Sequence, residues 1–198
     1  MLTLCMDTSH TLLAVSLIDE NNVVAKIQRE CWKKQSEEIF PALEELLKEA
    51  NKQVEDIDSI VITEGPGSYT GVRIAMTIAK VFAATKNIDL YTIGTLQLYA
   101  GTLEHCLVLL DARGSRVYSA GFDKKTNTLP LAIRTIDEVK EISSSYTVIG
   151  DGHLVGKEDF YPDVAENFLK LKSEWKKAEN IHLVVPEYLK PSESYLVK

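Results

Sequence analysis

Apolar and polar positions along the chain follow two periods, which together predict a mixed α/β protein. Short apolar runs bounded by turn-forming residues are typical of strands, and apolar residues recurring every third or fourth position are typical of helices. In the first half, strands are predicted at 2–6, 11–18, 23–30, 59–63 and 90–93. Helices are predicted at 36–52, with a late start or a slight kink at Pro41, at 71–86, and from Thr95.

The second half begins with the same order of elements. Strands are predicted at 106–110, 116–122, 131–134 and 146–150, helices at 136–143 and 164–171, and a late extended piece at 186–190. The first strand of each half ends at an aspartate, Asp7 or Asp111. A β-β-β-α-β unit used twice predicts an α/β fold of two stacked subdomains, 1–100 and 101–198, with the second smaller and less regular.

A glycine-rich segment, 64–73, forms the predicted turn between the strand at 59–63 and the helix at 71–86. Backbone amides at such a turn can hold an anion, or the segment can be a tight turn and nothing more. The lack of a P-loop lysine favours the structural interpretation, in which Gly65 and Gly67 adopt positive φ. The residues predicted to shape the turn are Gly65, Pro66, Gly67 and Gly71.

The helix at 71–86 carries two apolar stripes and one narrow polar stripe. A surface helix normally has a single apolar stripe, so this helix lies deep in the core or contacts a partner as well. The sequence alone leaves both open. The candidate partner interface, which includes a flank of the preceding helix, is Leu43, Leu46, Val72, Ala75, Met76, Ala79 and Ala83. The other stripe is Ile74, Ile78 and Val81.

Composition and charge narrow the function classes. The 198 residues carry a formal net charge of −7, which argues against nucleic acid or an anionic membrane as the main direct partner. No apolar run approaches membrane-spanning length, and the N-terminus lacks the charged region of a signal peptide. The three cysteines are isolated and odd in number, which predicts reduced thiols in a cytoplasmic protein.

Five segments in order along nearly the whole chain resemble the TsaB (YeaZ) family of the actin, sugar-kinase and Hsp70 (ASKHA) superfamily. They are 6–9, 35–37 with Pro41, 65–73, 111–113 with 117–118, and 186–190. The 65–73 block is the most specific of them. The chain departs from the family at Gln35, where histidine is common, and its C-terminal part is short.

The resemblance implies a bacterial protein that takes part in making the threonylcarbamoyl modification on the tRNA adenosine next to the anticodon. It implies two protein partners. One is TsaD, the catalytic subunit, docked through the first two helices of the N-terminal half, and the other is the P-loop ATPase TsaE. The same patch would form a homodimer when the chain is alone, and tRNA would be reached through the complex.

Candidate chemistry centres on Asp7 and Asp111, which lie where a kinase of this fold would place its phosphate loops. Each loop lacks the glycine-rich, multi-hydroxyl character that surrounds a triphosphate. The resemblance implies that TsaD carries a helical His-x-x-x-His metal pair, whereas the corresponding helix here begins at Gln35 without a nitrogen ligand. We therefore predict a catalytically silent chain without metal or cofactor; the alternative is a nucleotide-dependent phosphotransferase or ATPase of the ASKHA superfamily.

Overall fold

The computed structural model describes residues 1–31 and 33–189, which form two β-sheets and five α-helices. The strands are β1 (Thr3–Asp7), β2 (Leu12–Ile18), β3 (Val23–Glu30), β4 (Ser59–Thr63), β5 (Asp89–Ile93), β6 (Cys106–Asp111), β7 (Arg116–Asp123), β8 (Thr126–Thr135), β9 (Thr147–Gly150) and β10 (Lys176–Lys177). The helices are α1 (Gln35–Ala50), α2 (Tyr69–Lys86), α3 (Thr95–Ala100), α4 (Ile136–Ser143) and α5 (Val164–Lys170).

The two sheets share one topology. The first has the strand order β10-β5-β4-β1-β2-β3 and the second the order β8-β7-β6-β9. In each sheet the first strand of the unit is antiparallel to the next strand in sequence and parallel to the fourth strand of the unit. The predicted α/β fold class with its duplicated unit is confirmed, and the second unit is the smaller and less regular one.

The elements stack in alternating layers, which explains why several strands are buried on both faces. Helices α1 and α2 cover one face of the first sheet, while α3 and α5 lie between the first and second sheets. Side chains of β1 alternate accordingly: Leu4 and Met6 pack beneath α1 and α2, and Cys5 packs toward the second sheet. Helix α4 covers the far face of the second sheet. This double coverage favours the unbroken apolar runs seen in the sequence.

Two element predictions need correction. Helix α1 begins at Gln35 and includes Pro41, which lies exposed within it, so the late start is wrong and the slight kink stays a prediction. Strand β8 is ten residues long instead of the predicted four, because it pairs with β7 along an exposed hairpin. Its half-exposed residues lack the continuous apolar run that marks a buried strand.

The polypeptide after α5 returns to the first subdomain. Strand β10 pairs antiparallel with β5 and extends the first sheet, and residues 178–189, which we call the C-terminal strap, then run along α2. The Ala178 amide donates to Leu90 O at 2.8 Å and the Glu187 amide to Glu64 O at 2.7 Å. The division at residue 100 stays a prediction. Lys190, the last residue of the predicted extended piece, lies outside the described residues.

Within the described part of the chain, no helix combines the length and the apolar character needed to cross a membrane.

Candidate functional site

The first candidate loop, at the end of β1, is closed around Asp7. This aspartate is fully buried, and its Oδ1 accepts hydrogen bonds from the Ser9 amide (2.9 Å), Ser9 Oγ (2.6 Å) and Thr63 Oγ1 (2.7 Å). Its Oδ2 accepts from Tyr99 OH at 3.1 Å. Burial, together with the neighbouring Asp7 carboxylate, holds the pKa of Tyr99 well above its ordinary value, so the phenol remains a donor. The carboxylate thus binds protein groups through both oxygens.

The glycine-rich turn packs directly onto this loop. Thr8 Oγ1 donates to Gly71 O at 2.6 Å, and the Ser68 amide donates to Ser9 O at 2.7 Å. A side chain on Gly67 would overlap Ser9 O, and one on Gly71 would overlap Thr8 O. The turn therefore packs so closely on the loop that neither glycine leaves room for a side chain.

The conformations of the turn glycines differ from expectation at one position. Gly65 has φ +106° and precedes a cis bond to Pro66, and a Cβ there would lie 3.0 Å from Glu187 O of the strap. The expected positive φ at Gly67 is not found. Gly67 is needed because two backbone segments approach too closely for any side chain, which local sequence does not reveal.

The second candidate loop, after β6, is organised by a different carboxylate. Asp111 is exposed, and its Oδ1 accepts only a local bond from the Arg113 amide at 2.6 Å. Asp151, just after β9, is buried and accepts from the Asp111 amide at 2.6 Å, from His10 Nε2 at 2.9 Å, and from Tyr161 OH. Since His10 belongs to the first subdomain, this cluster joins the two subdomains.

The environment of Asp151 favours its ionised form. Burial alone would raise the pKa of this carboxyl group, but the hydrogen bonds from His10, Tyr161 and the Asp111 amide offset burial and lower its pKa. The sequence analysis did not single out Asp151. Its usable signal was topological, because Asp151 follows the fourth strand of the second unit.

Metal and histidine chemistry finds no assembled site in the described residues. No group of three or more His, Cys, Asp or Glu side chains there is arranged to hold a metal ion. Gln35 is buried, and its Nε2 donates to His10 O at 2.8 Å. It supports the loop after β1 and does not face open solvent.

The structure corrects the placement of the candidate interface residues. Six of the seven lie in the core between the helices and the first sheet, because this stripe of α2 faces β4 and β5. They are Leu46, Val72, Ala75, Met76, Ala79 and Ala83. Only Leu43 is half-buried. These six side chains cannot meet a partner, so any interface on this helix pair uses other residues.

The outward apolar residues of the two helices form a different surface. Arg29 pairs with Glu38 and Glu45, both at 3.1 Å, and so turns one flank of α1 toward β3. Lys80 binds strap carbonyls and turns one flank of α2 toward the strap. The remaining flanks of α1 and α2 face each other and are apolar. We call them the helix-pair surface: Phe40, Leu43, Leu47, Ile74, Ile78 and Val81.

The helix-pair surface is partly open to solvent. Phe40 on α1 is 59% exposed and Val81 on α2 is 63% exposed. The second apolar stripe of this helix, Ile74, Ile78 and Val81, belongs to this surface.

Comparison with known proteins places this fold in a family. The family model described as "TsaD: tRNA N6-adenosine threonylcarbamoyltransferase" matches residues 23–153, about two thirds of the chain. The tRNA threonylcarbamoyladenosine biosynthesis protein TsaB of Bacillus subtilis is 27% identical, over 98% of this chain and 96% of the relative. The chain belongs to the TsaB (YeaZ) family, and the TsaD family model matches its residues 23–153.

Further relatives agree with this membership. TsaB of Escherichia coli is 28% identical over 63% of this chain and 56% of the relative. A solved structure titled YeaZ from Pseudomonas aeruginosa superimposes with a TM-score of 0.75 at 20% identity, covering 95% of this chain and 99% of that one. A second Pseudomonas aeruginosa structure, described as similar to peptidase YEAZ, gives a TM-score of 0.79 at 19% identity, over 96% and 99%. At these identities the two structures support the fold alone.

Proposed function

We propose that this TsaB-family chain acts in tRNA threonylcarbamoyladenosine biosynthesis as a non-catalytic scaffold subunit. It binds and supports the catalytic subunit TsaD, and the ATPase TsaE joins the pair. Family membership and the names of the curated relatives support the pathway. The observation that carries the scaffold role is the open apolar helix-pair surface, which lies above a core that is already complete.

The closed loop after β1 supports the absence of catalysis. A kinase-like site needs a carboxylate with free oxygens for a metal ion and free amides for phosphate. Asp7 already accepts four hydrogen bonds, and the turn at 65–71 packs closely on its loop. In the second loop Asp111 is open, but one exposed carboxylate does not make a phosphate site.

The helix-pair surface supports a protein partner of related fold. Large exposed apolar side chains that lie together mark interaction sites on soluble proteins. Because the TsaD model matches this chain from residue 23 to residue 153, TsaD has a comparable helix pair to offer. When TsaD is absent, a second copy of the chain offers the same pair, which gives a two-fold homodimer. With a net charge of −7, the chain leaves tRNA contact to the rest of the complex.

Calorimetric binding to the TsaD of the same organism tests the scaffold role. The double variant Phe40→Glu, Val81→Glu should lower the affinity at least about tenfold, since both charges would be desolvated at the interface. Leu103→Glu, which changes an exposed apolar residue of the second subdomain, is the matched control and should bind like the parent. Undiminished binding by a folded double variant would remove the helix pair from the interface.

The alternative function, a nucleotide-dependent phosphotransferase or ATPase, is tested separately by titrating ATP and Mg²⁺ into the chain. We expect no saturable heat and no phosphate release. Saturable binding with turnover that Asp111→Ala removes would establish the enzyme and end the scaffold proposal.

A further inference from the structure

The three most exposed large apolar side chains in the described part of the chain lie around one lysine. Leu183 is 73% exposed, Val185 is 68% exposed and Val81 is 63% exposed. Lys80, the neighbour of Val81, donates from Nζ to the carbonyls of His182 and Val184, both at 2.9 Å. Those two carbonyls flank Leu183 in sequence and the second directly precedes Val185. Leu183 and Val185 therefore lie where α2 meets the strap, and Val81 lies on the adjoining outer side of α2.

The strap holds this region in place at several points. Asn180 Oδ1 accepts from the His182 amide at 2.9 Å and stabilises a short 3₁₀ turn at Ile181–Leu183. Further along, Tyr188 OH accepts from Arg73 Nε at 2.7 Å, and the Tyr188 ring stacks on Tyr69. Leu183 and Val185 are thus exposed on a segment with fixed contacts on both sides.

The strap is apolar on its outer side as well as on its inner side. Its inner residues Ile181 and Val184 pack against the core beneath α2. Val184 has extended backbone, so Val185 after it points to the opposite, outer side, and Leu183 at the end of the 3₁₀ turn is exposed as well. Burying Ile181 and Val184 accounts for the strap's attachment, but it gives no reason for leucine and valine on the solvent side. Apolar side chains in such a cluster are typical of a binding surface.

We propose that Leu183 and Val185 form the second part of the docking surface for the TsaD-family catalytic subunit, joined to the helix-pair surface through Val81. This inference rests on the proposed function and extends its docking surface to the C-terminal strap. Continuity carries the choice of occupant, because a partner seated over Phe40 and Val81 meets the strap next.

Charge adds a requirement on the partner. The outer side of α1 exposes Glu37 and Glu44, whereas the Lys80 ammonium group donates its hydrogen bonds to strap carbonyls. The occupant should therefore present an apolar ridge with basic residues at the edge that lies over α1. Basic residues at that edge would steer association through charge complementarity.

The test compares three variants of the full chain in calorimetric titrations with the purified TsaD of the same organism. The strap variant is Leu183→Ser with Val185→Ser, the helix-pair variant is Phe40→Ser, and the control is Leu103→Ser. The strap variant should weaken binding about tenfold or more, as expected when two large side chains leave a buried interface. The control should stay within about twofold of the parent.

The outcomes separate the two proposals. If Phe40→Ser weakens binding and the strap variant does not, the strap is outside the interface while the scaffold role stands. If neither variant affects binding, both the strap and the helix-pair surface lie outside the interface; if the unmodified chain does not bind TsaD, the scaffold proposal itself fails. Hydrogen exchange on the unmodified chain decides the case in which a variant unfolds: amides of 182–185 must gain protection on binding, and unchanged exchange there overturns the inference.

Discussion

A carboxylate removed from water needs a donor for each oxygen, and Asp7 meets this need with four protein donors. These donors come from the loop itself, from β4 and from α3, so a single side chain ties together three parts of the first subdomain. Asp7, which lies where a kinase-like site would bind a metal ion, stabilises the first subdomain here.

Asp7→Asn should lower the free energy of unfolding by about 2–4 kcal/mol. The amide keeps the shape but turns an NH₂ group toward donors, which leaves buried partners unpaired. Urea unfolding measures the change. Asp111→Asn is the matched control at the equivalent place in the second unit and should stay within about 0.5 kcal/mol. Equal losses in the two variants would show that the Asp7 bonds add little.

Gly67→Ala should destabilise the chain by about 1–3 kcal/mol or more, because the new methyl group meets the Ser9 carbonyl on a backbone that cannot retreat. Gly94→Ala is the control: its Cβ would have only ordinary contacts, 4.0 Å from Gln97 Cβ and from Gly65 O. Thermal unfolding followed by circular dichroism compares the two. A melting temperature for Gly67→Ala equal to that of the control would mean that the loop and the turn do not touch in solution.

Among the elements, α2 has three occupied sides. One packs on the sheet, one faces α1, and the polar flank with Arg73 and Lys80 holds the strap. The narrow polar stripe that stood out in the sequence is therefore a binding stripe for another part of the same chain. The edge at Val81, with its apolar neighbours toward α1, remains open.

Ala79→Glu should unfold the chain or lower its stability by about 3–5 kcal/mol, because an unpaired charge would be buried beneath α2. Ala84→Glu makes the same change on the same helix at an exposed alanine, and its effect should stay within about 0.5 kcal/mol. Chemical unfolding of both proteins gives the difference. A folded Ala79→Glu chain of parental stability would restore Ala79 as a surface residue.

These elements also show how far sequence alone reaches. The strands and helices of the first unit follow from apolar periodicity, because double coverage of the sheet imposes it. Which stripe of α2 faces the sheet does not follow, since Ala79 and Ile78 are both apolar and only the tertiary fold separates them. The pairing of Asp151 with His10 and the return of the strap to Arg73 are long-range contacts, and no local pattern specifies them.

For the whole molecule, the Asp151 cluster links stability to pH. The pKa of the Asp151 carboxyl group in the folded chain lies below its unfolded value of 3.8. The ionised Asp151 therefore makes its full contribution to stability above pH 3.8. The contribution falls as the pH drops below 3.8 and vanishes below the folded pKa. Asp151→Asn should therefore lower the free energy of unfolding by the same amount at every pH well above 3.8.

Urea unfolding of the parent and Asp151→Asn between pH 7 and pH 3 tests this linkage. The stability difference should hold from pH 7 to about pH 5 and shrink below the unfolded value. Asp137→Asn serves as the control, because Asp137 is an exposed residue of the outer helix α4. A difference between parent and Asp151→Asn that does not change with pH would exclude the ionised Asp151 as its source.

The position of β10 has a consequence for synthesis on the ribosome. The first sheet takes its outer strand from residues 176–177, which are translated long after the rest of that sheet has emerged. Until then the edge of β5 is bare, and an uncovered edge strand invites pairing with other chains. During synthesis the first sheet therefore keeps an open edge at β5 until β10 has emerged and pairs with it.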